Sequence, residues 1–229
     1  MASEFSVPKP KAFPIRPRSP RLARAMQSCA FILAVNWCLQ GMRGMDRKEL
    51  GFRLGAELLL AALLAWAGVG MLAPAPAVLL GLVVAHTASF TFNGQVWVCA
   101  RYCRSWRGNA PALERWLRAV AVELQGLTWL REAVCIGSRG DQGIVRGDRS
   151  DLDLRLVFPP GAGTWLRTNL LLLRLRARAL LDRIPLDLYA YDDPASLERF
   201  DQRERLLVLL DRDGRLAERF PERVVPWPG

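Results

Sequence analysis

The residues from Leu54 to Ala73 read Leu-Gly-Ala-Glu-Leu-Leu-Leu-Ala-Ala-Leu-Leu-Ala-Trp-Ala-Gly-Val-Gly-Met-Leu-Ala, with Glu57 as their only charge. A run of this length matches the thickness of a hydrocarbon core. Lipid offers the backbone no hydrogen-bond partner, so such a run must be helical. Pro74-Ala75-Pro76 then interrupts it, because proline cannot continue a helix. A second apolar run extends from Ala77 to about Ala85 and grades into a mixed stretch from His86 to Cys99. Basic residues flank the pair on both outer sides (Arg43, Arg47, Lys48 and Arg53 before it; Arg101, Arg104 and Arg107 after it), whereas Pro-Ala-Pro carries none. The positive-inside rule places both outer ends in the cytoplasm. The expectation is a membrane hairpin over about 54–99, inside a helical, membrane-associated region 21–107. The alternative is a soluble helical hairpin buried in the core of a homo-oligomer, a dimer. A chain of 229 residues has little else with which to cover so long an apolar helix.

Cys29–Leu39 is too short to span and contains Asn36; preceded by Arg21 and Arg24, it suits the membrane interface. Residues 1–20 are rich in Pro, Ser and basic side chains and lack the apolar core of a secretory signal. They read as a disordered arm. The five cysteines form no CxxC pair and there is one histidine, so zinc-ligand spacing is absent. The cysteines are expected to be reduced, buried and apolar in behaviour. A net charge of +10 calls for an anionic partner such as a nucleotide or the anionic face of a membrane. His86, Asn93 and Gln95 place polar groups in or near a membrane segment, where such groups either meet a lipid head group or bond between helices.

Composition changes after Arg107-Gly108-Asn109-Ala110-Pro111. From Ala112 to Gly126, Leu113, Trp116, Leu117, Val120 and Leu124 fall on one helical face. Strands are expected over Ala133–Ile136, Leu152–Phe158, Pro185–Tyr191 and Leu206–Leu210. Helices are expected over Trp165–Arg183 and around Ala195–Phe200. Strands and helices interleaved in this way form an α/β or α+β layered domain over 112–216, followed by a tail, 217–229.

Gly137 and Ser138 close the first of these strands. Backbone N–H groups at such a turn converge on one spot and can cradle phosphate, with the serine hydroxyl adding a bond. Asp151 and Asp153 stand one residue apart, so a strand puts them on one face while Leu152, Leu154, Leu156 and Phe158 point to a core. Two carboxylates so close repel each other unless a cation intervenes, and Mg²⁺ prefers such hard oxygen ligands. Asp187, in the third apolar strand, would face the same cation from a neighbouring strand, binding it and helping to remove a proton from an attacking hydroxyl.

Ile136-Gly137-Ser138, then Ser150-Asp151-Leu152-Asp153-Leu154, then Leu186-Asp187-Leu188 together resemble the nucleotidyltransferase superfamily typified by DNA polymerase β, most of all its minimal members. The resemblance covers roughly Ala112–Leu216. It implies an α+β domain, a mixed sheet with flanking helices, preceded here by the membrane hairpin, which is not part of the family pattern. It further implies that Gly137, Ser138 and Arg139 contact the triphosphate and that Asp151, Asp153 and Asp187 hold Mg²⁺, with Mn²⁺ as the alternative ion. The reaction implied is attack by an acceptor oxygen on the α-phosphate of an NTP, with pyrophosphate leaving. Arg155, Arg167, Arg174 and Arg176 are further candidates for phosphate or acceptor contacts. The location points to a membrane lipid or lipid-linked acceptor at the cytoplasmic membrane face. The chain lacks the aromatic-basic motif of RNA-recognition domains, so nucleic acid is not the expected partner. The alternative is a non-catalytic nucleotide-sensing or partner-binding module of the same fold.

Overall fold

In the computed structural model, which describes residues 10, 11, 13, 15, 17–40, 45–136 and 149–228, the apolar run becomes two antiparallel helices. These are α3 (Arg47–Gly68) and α4 (Pro74–Phe92), after α1 (Pro20–Met26) and α2 (Cys29–Leu39). Asp46 caps α3 by accepting from Lys48 N–H at 3.3 Å. Pro74 and Pro76 do not end a helix; they open α4, where the missing N–H is no loss. Both α3 and α4 are long and apolar enough to cross a membrane, and α1 and α2 form a bent pair, 66° apart, that passes the same test jointly. The exterior of the hairpin is apolar and uncovered: Trp66 is 81 % exposed and Leu79 64 %. An unpartnered patch of this kind marks a surface made for lipid or protein.

Small residues let α3 and α4 approach. A Cβ built on Gly81 would lie 2.7 Å from the Ala61 carbonyl oxygen, and one on Gly68 would touch Ala77. This is the close small-residue packing used between membrane helices. After α4, Gly94 turns the chain at φ 76° into α5 (Gln95–Ala100), close enough to β3 that a Cβ would meet the Leu186 carbonyl at 3.2 Å.

The second region is α+β. Its elements are α6 (Ala110–Gln125), β1 (Glu132–Ile136), β2 (Leu152–Val157), α7 (Ala162–Leu181), β3 (Leu186–Tyr191), a 3-10 turn (Pro194–Arg199), β4 (Leu206–Asp211), α8 (Arg215–Arg219) and β5 (Val224–Pro226). The mixed sheet has the order β3-β2-β1-β4-β5. β1 pairs antiparallel with β2 and β4, while β2–β3 and β4–β5 are parallel. α6 presents the expected face, with Leu117, Val120 and Leu124 fully buried, to the strand face that carries Leu152, Leu154 and Leu156; α7 adds Leu172 and Leu175. The opposite strand face is covered in part by Leu197, Leu216 and Phe220. α8 and β5 extend the domain into the stretch read as a tail. β5 adds an edge strand beside β4, and Trp227 N–H still donates to the Val208 carbonyl at 3.2 Å.

Two expectations about the N-terminal half change. Cys29 and Cys103 are joined by a disulfide, so not all cysteines are reduced; Cys38, Cys99 and Cys135 stand outside that bond. Lys11 and Phe13, assigned to the arm, pack onto α1 and α2. Lys11 exchanges two hydrogen bonds with the Gln27 side chain, at 2.8 and 2.9 Å, and Phe13 meets Phe31 edge to face.

Candidate active site

Asp153 on β2 and Asp187 on β3 are direct neighbours in the parallel ladder. Strand alternation then puts Arg155 and Tyr189 on the same face one step along, and these two are also in register. Ile136, the residue before Gly137, pairs with Asp153 from the other side. Asp151 directly precedes β2. Gly137, Ser138 and Arg139 lie outside the described residues.

Arg155 neutralises the centre of this group. Its guanidinium donates to the Asp187 carboxylate at 2.9 Å and to the Asp187 main-chain carbonyl at 2.6 Å, and stands 3.6 Å from Asp153. Its side chain is only 5 % exposed, sandwiched against the rings of Tyr189 and Phe200. Burial opposes the charge, but Asp187 and then Asp153 outweigh it and keep Arg155 firmly protonated. Asp151 has a different partner: Arg101, 50 positions away, holds it at 2.6 Å. Arg101 is itself framed by Arg149, whose guanidinium donates to the Arg101 and Cys103 carbonyls at 2.7 and 2.8 Å. The disulfided segment therefore positions the cation that meets Asp151.

Three carboxylates with two arginines leave an excess of negative charge. Burial, then repulsion from Asp151 and Asp187, pushes Asp153 well above the ordinary carboxylate range, and a hydrogen bond between Asp153 and Asp187 adds to the rise. Burial also raises Asp151, opposed by Arg101 and reinforced by Asp187. Burial and the Asp187 charge raise the Tyr189 phenol. Lys11 is pulled down by burial, with Asp151 and Asp187 acting to raise it, so the N-terminal segment brings a third cation into the field of the site.

Among the described residues, no group of three or more His, Cys, Asp or Glu side chains converges to hold a metal ion. The donor chemistry nonetheless fits a hard divalent cation. Asp153 and Asp187 are oxygen donors on adjacent strands, remain 31 % and 20 % exposed, and repel each other in a way that a cation relieves. Asp151 does not join them while it is bonded to Arg101.

The arginines proposed for anions separate cleanly. Arg155 reaches the aspartates. Arg167 is exposed, and Arg174 and Arg178 pair with Glu123 on α6 at the surface. Arg176 is buried, donating to Glu49 of α3 at 2.5 Å and to Asn93 at 3.0 Å, so it joins the hairpin to the sheet domain. Arg101 and Lys11 had no local signal in the sequence, because the fold alone brings them to the aspartates.

No protein-family model matches the chain, and no curated protein and no solved structure matches it.

Proposed function

We propose that the chain is a membrane-anchored nucleotidyltransferase with a polymerase-β-type fold, moving a nucleoside monophosphate from an NTP to an acceptor hydroxyl or phosphate and releasing pyrophosphate. The observation that carries this reading is the registration of Asp153 with Asp187 on parallel strands, with the Gly137-Ser138 pair following the β1 residue that faces Asp153. Asp153 and Asp187 would hold Mg²⁺, joined by Asp151 once Arg101 releases it; the ion, when bound, offsets the charge of the triphosphate. Arg155 holds the Asp187 carboxylate in place, and Arg101 and Lys11 supply positive charge toward the incoming phosphates. Asp187 would also help to remove the proton from the acceptor hydroxyl.

Placement at a membrane is supported by α3 and α4, and the basic flanks favour a cytoplasmic domain. The disulfide pulls the other way, since such bonds persist in oxidising compartments.

The test is full-length protein in detergent, given each labelled NTP with Mg²⁺ and a lipid extract. Pyrophosphate release should fall about 10²–10³-fold in Asp153→Asn with the fold retained; unchanged release in that variant would sink the proposal. One observation favours a nucleotide sensor instead: all three carboxylates already have protein partners. Calorimetry showing Mg²⁺–NTP binding with no pyrophosphate would establish that alternative.

A further inference from the structure

Helix α7 carries two apolar faces. Leu166, Leu170, Leu173, Ala177 and Leu181 recur at intervals of four, three, four and four residues, so they line one side of the helix. This side is open: Leu170 is 54 % exposed and Leu181 82 %. A different side holds α7 to the sheet, with Leu171, Leu172, Leu175 and Ala179 buried in the core beside Leu186 and Leu188. A helix lying on a sheet in water needs one apolar face and keeps the other polar.

Both ends of α7 meet the same end of the hairpin. Near its start, Trp165 Nε1 donates to the Lys48 carbonyl at 3.2 Å and the indole meets Phe52 edge to face. Further along, Arg176 bonds to Glu49 and Asn93. In the last turn, the Leu180 carbonyl accepts from Trp97 Nε1 at 2.9 Å. Lys48, Glu49 and Phe52 lie at the start of α3, Asn93 closes α4, and Trp97 lies in α5 just beyond. Between Trp165 and Leu180 a helix advances about 22 Å, so a helix climbing beside α3 or α4 would leave this level. α7 therefore lies across the foot of the hairpin, with its leucine stripe turned away from the sheet. Leu173 shares a recess with Leu60 and Phe92, so the stripe runs into the apolar exterior of α3 and α4 without a break.

We infer that the leucine stripe of α7 lies in the lipid interface, along the membrane plane, beside the point where the hairpin enters the bilayer. Continuity argues for lipid as the occupant: whatever covers α3 and α4 at this level also reaches Leu173, and helices of that length and composition are suited to a hydrocarbon core. Charge argues the same way. The row beside the stripe is Arg167, Arg174 and Arg178, and Arg174 and Arg178 share Glu123, which leaves the row net positive. Such a row meets lipid phosphates while the leucines enter the acyl boundary. A second copy of α7 laid antiparallel on the stripe would instead bring arginine against arginine. Trp165, at the head of the helix, is the side chain that interfaces favour. Docked in this way, α7 and the strand that follows it hold Asp187 at a fixed height from the head groups. The inference rests on the membrane placement of α3 and α4 and not on nucleotidyl transfer.

The experiment uses full-length protein in phospholipid nanodiscs, with Cys38→Ser removing the exposed thiol; Cys99 and Cys135 are buried. An environment-sensitive fluorophore is attached in turn at Leu170→Cys and Leu181→Cys on the stripe, at Val83→Cys in the middle of α4, and at Glu222→Cys near the far edge of the sheet. All four side chains are exposed, so the fold should tolerate the changes. Lipid with a nitroxide near the head of its acyl chain should quench both α7 probes at least about twofold and leave the Glu222 probe unchanged. Lipid with the nitroxide deep in the chain should quench the Val83 probe. A quenched Val83 probe with unquenched, water-like α7 probes overturns the inference and leaves the hairpin in the membrane. Unquenched α7 probes with blue-shifted emission also overturn it, in favour of a second copy of the chain covering the stripe. An unquenched Val83 probe overturns the membrane placement, and this inference with it. Pyrophosphate release reports nucleotidyl transfer separately, and its absence would alter none of these readings.

Discussion

Asp153 and Asp187 face each other across the β2–β3 ladder and share a single buried arginine, Arg155, which donates to the Asp187 carboxylate at 2.9 Å and stands 3.6 Å from Asp153. Removing that cation leaves coupled carboxylates in a partly buried setting. Arg155→Met should destabilise the protein by about 3–5 kcal/mol at neutral pH. The sign with pH follows from Asp153, whose folded-state pKa is raised. Such a group contributes stability at low pH that is lost as pH rises through the raised value. The deficit of Arg155→Met relative to wild type should therefore shrink on acidification. Thermal melts at several pH values check this, and a deficit that does not change with pH would contradict it.

A second group titrates far from the aspartates. Glu132 is fully buried on β1, neither carboxylate oxygen has a hydrogen bond among the described residues, and Arg215 stands 3.4 Å from it. Burial raises it from 4.5 to about 7, with Arg215 opposing. Its folded-state pKa exceeds the unfolded one, so its stabilising effect is complete below 4.5 and disappears as pH rises through about 7. Glu132→Gln removes this dependence. Between about pH 5 and about pH 8, wild-type Tm should drop several degrees further than that of the variant; parallel curves would contradict the assignment.

The hairpin depends on Gly81. Because a Cβ there would stand 2.7 Å from the Ala61 carbonyl oxygen, α3 and α4 must separate to accept any side chain. Gly81→Val should lower Tm in detergent by more than Gly70→Val, where nothing lies within 4 Å. Equal effects would mean that the helices are not in close contact at that point.

The side of the membrane occupied by the sheet domain is open to direct measurement. Cys38 is free and exposed, whereas Cys29 and Cys103 are bonded. In intact cells, an impermeant maleimide should leave Cys38 unlabelled if the basic flanks set the orientation. Labelling without permeabilisation would place this end outside, in agreement with the disulfide.

Much of the sheet domain was legible because its signals are periodic. The alternation of Leu152, Leu154 and Leu156 with Asp153 and Arg155 specifies a two-faced strand, and the spacing of Leu113, Trp116, Leu117 and Val120 gives α6 its buried face. Asp187 could be assigned to the same face as Asp153 only by assuming that their strands are neighbours, and β2–β3 pairing supplies that. Arg101 and Asp151, 50 positions apart, have no such periodicity to join them. The Cys29–Cys103 bond is likewise invisible in spacing, because it depends on how α2 packs on α5. β5 escaped notice because three residues ending in proline carry little strand signal alone; pairing with β4 makes the strand.

The Cys29–Cys103 bond closes a ring of chain with a sequence separation of 74, and both apolar helices lie inside that ring. A protease cutting the exposed turn between Gly68 and Pro74 would break the backbone once yet release nothing: the fragments would migrate together until a reductant is added. The lipid-facing pair is thus a tethered loop whose two ends are fastened to each other beside the segment that carries Arg101.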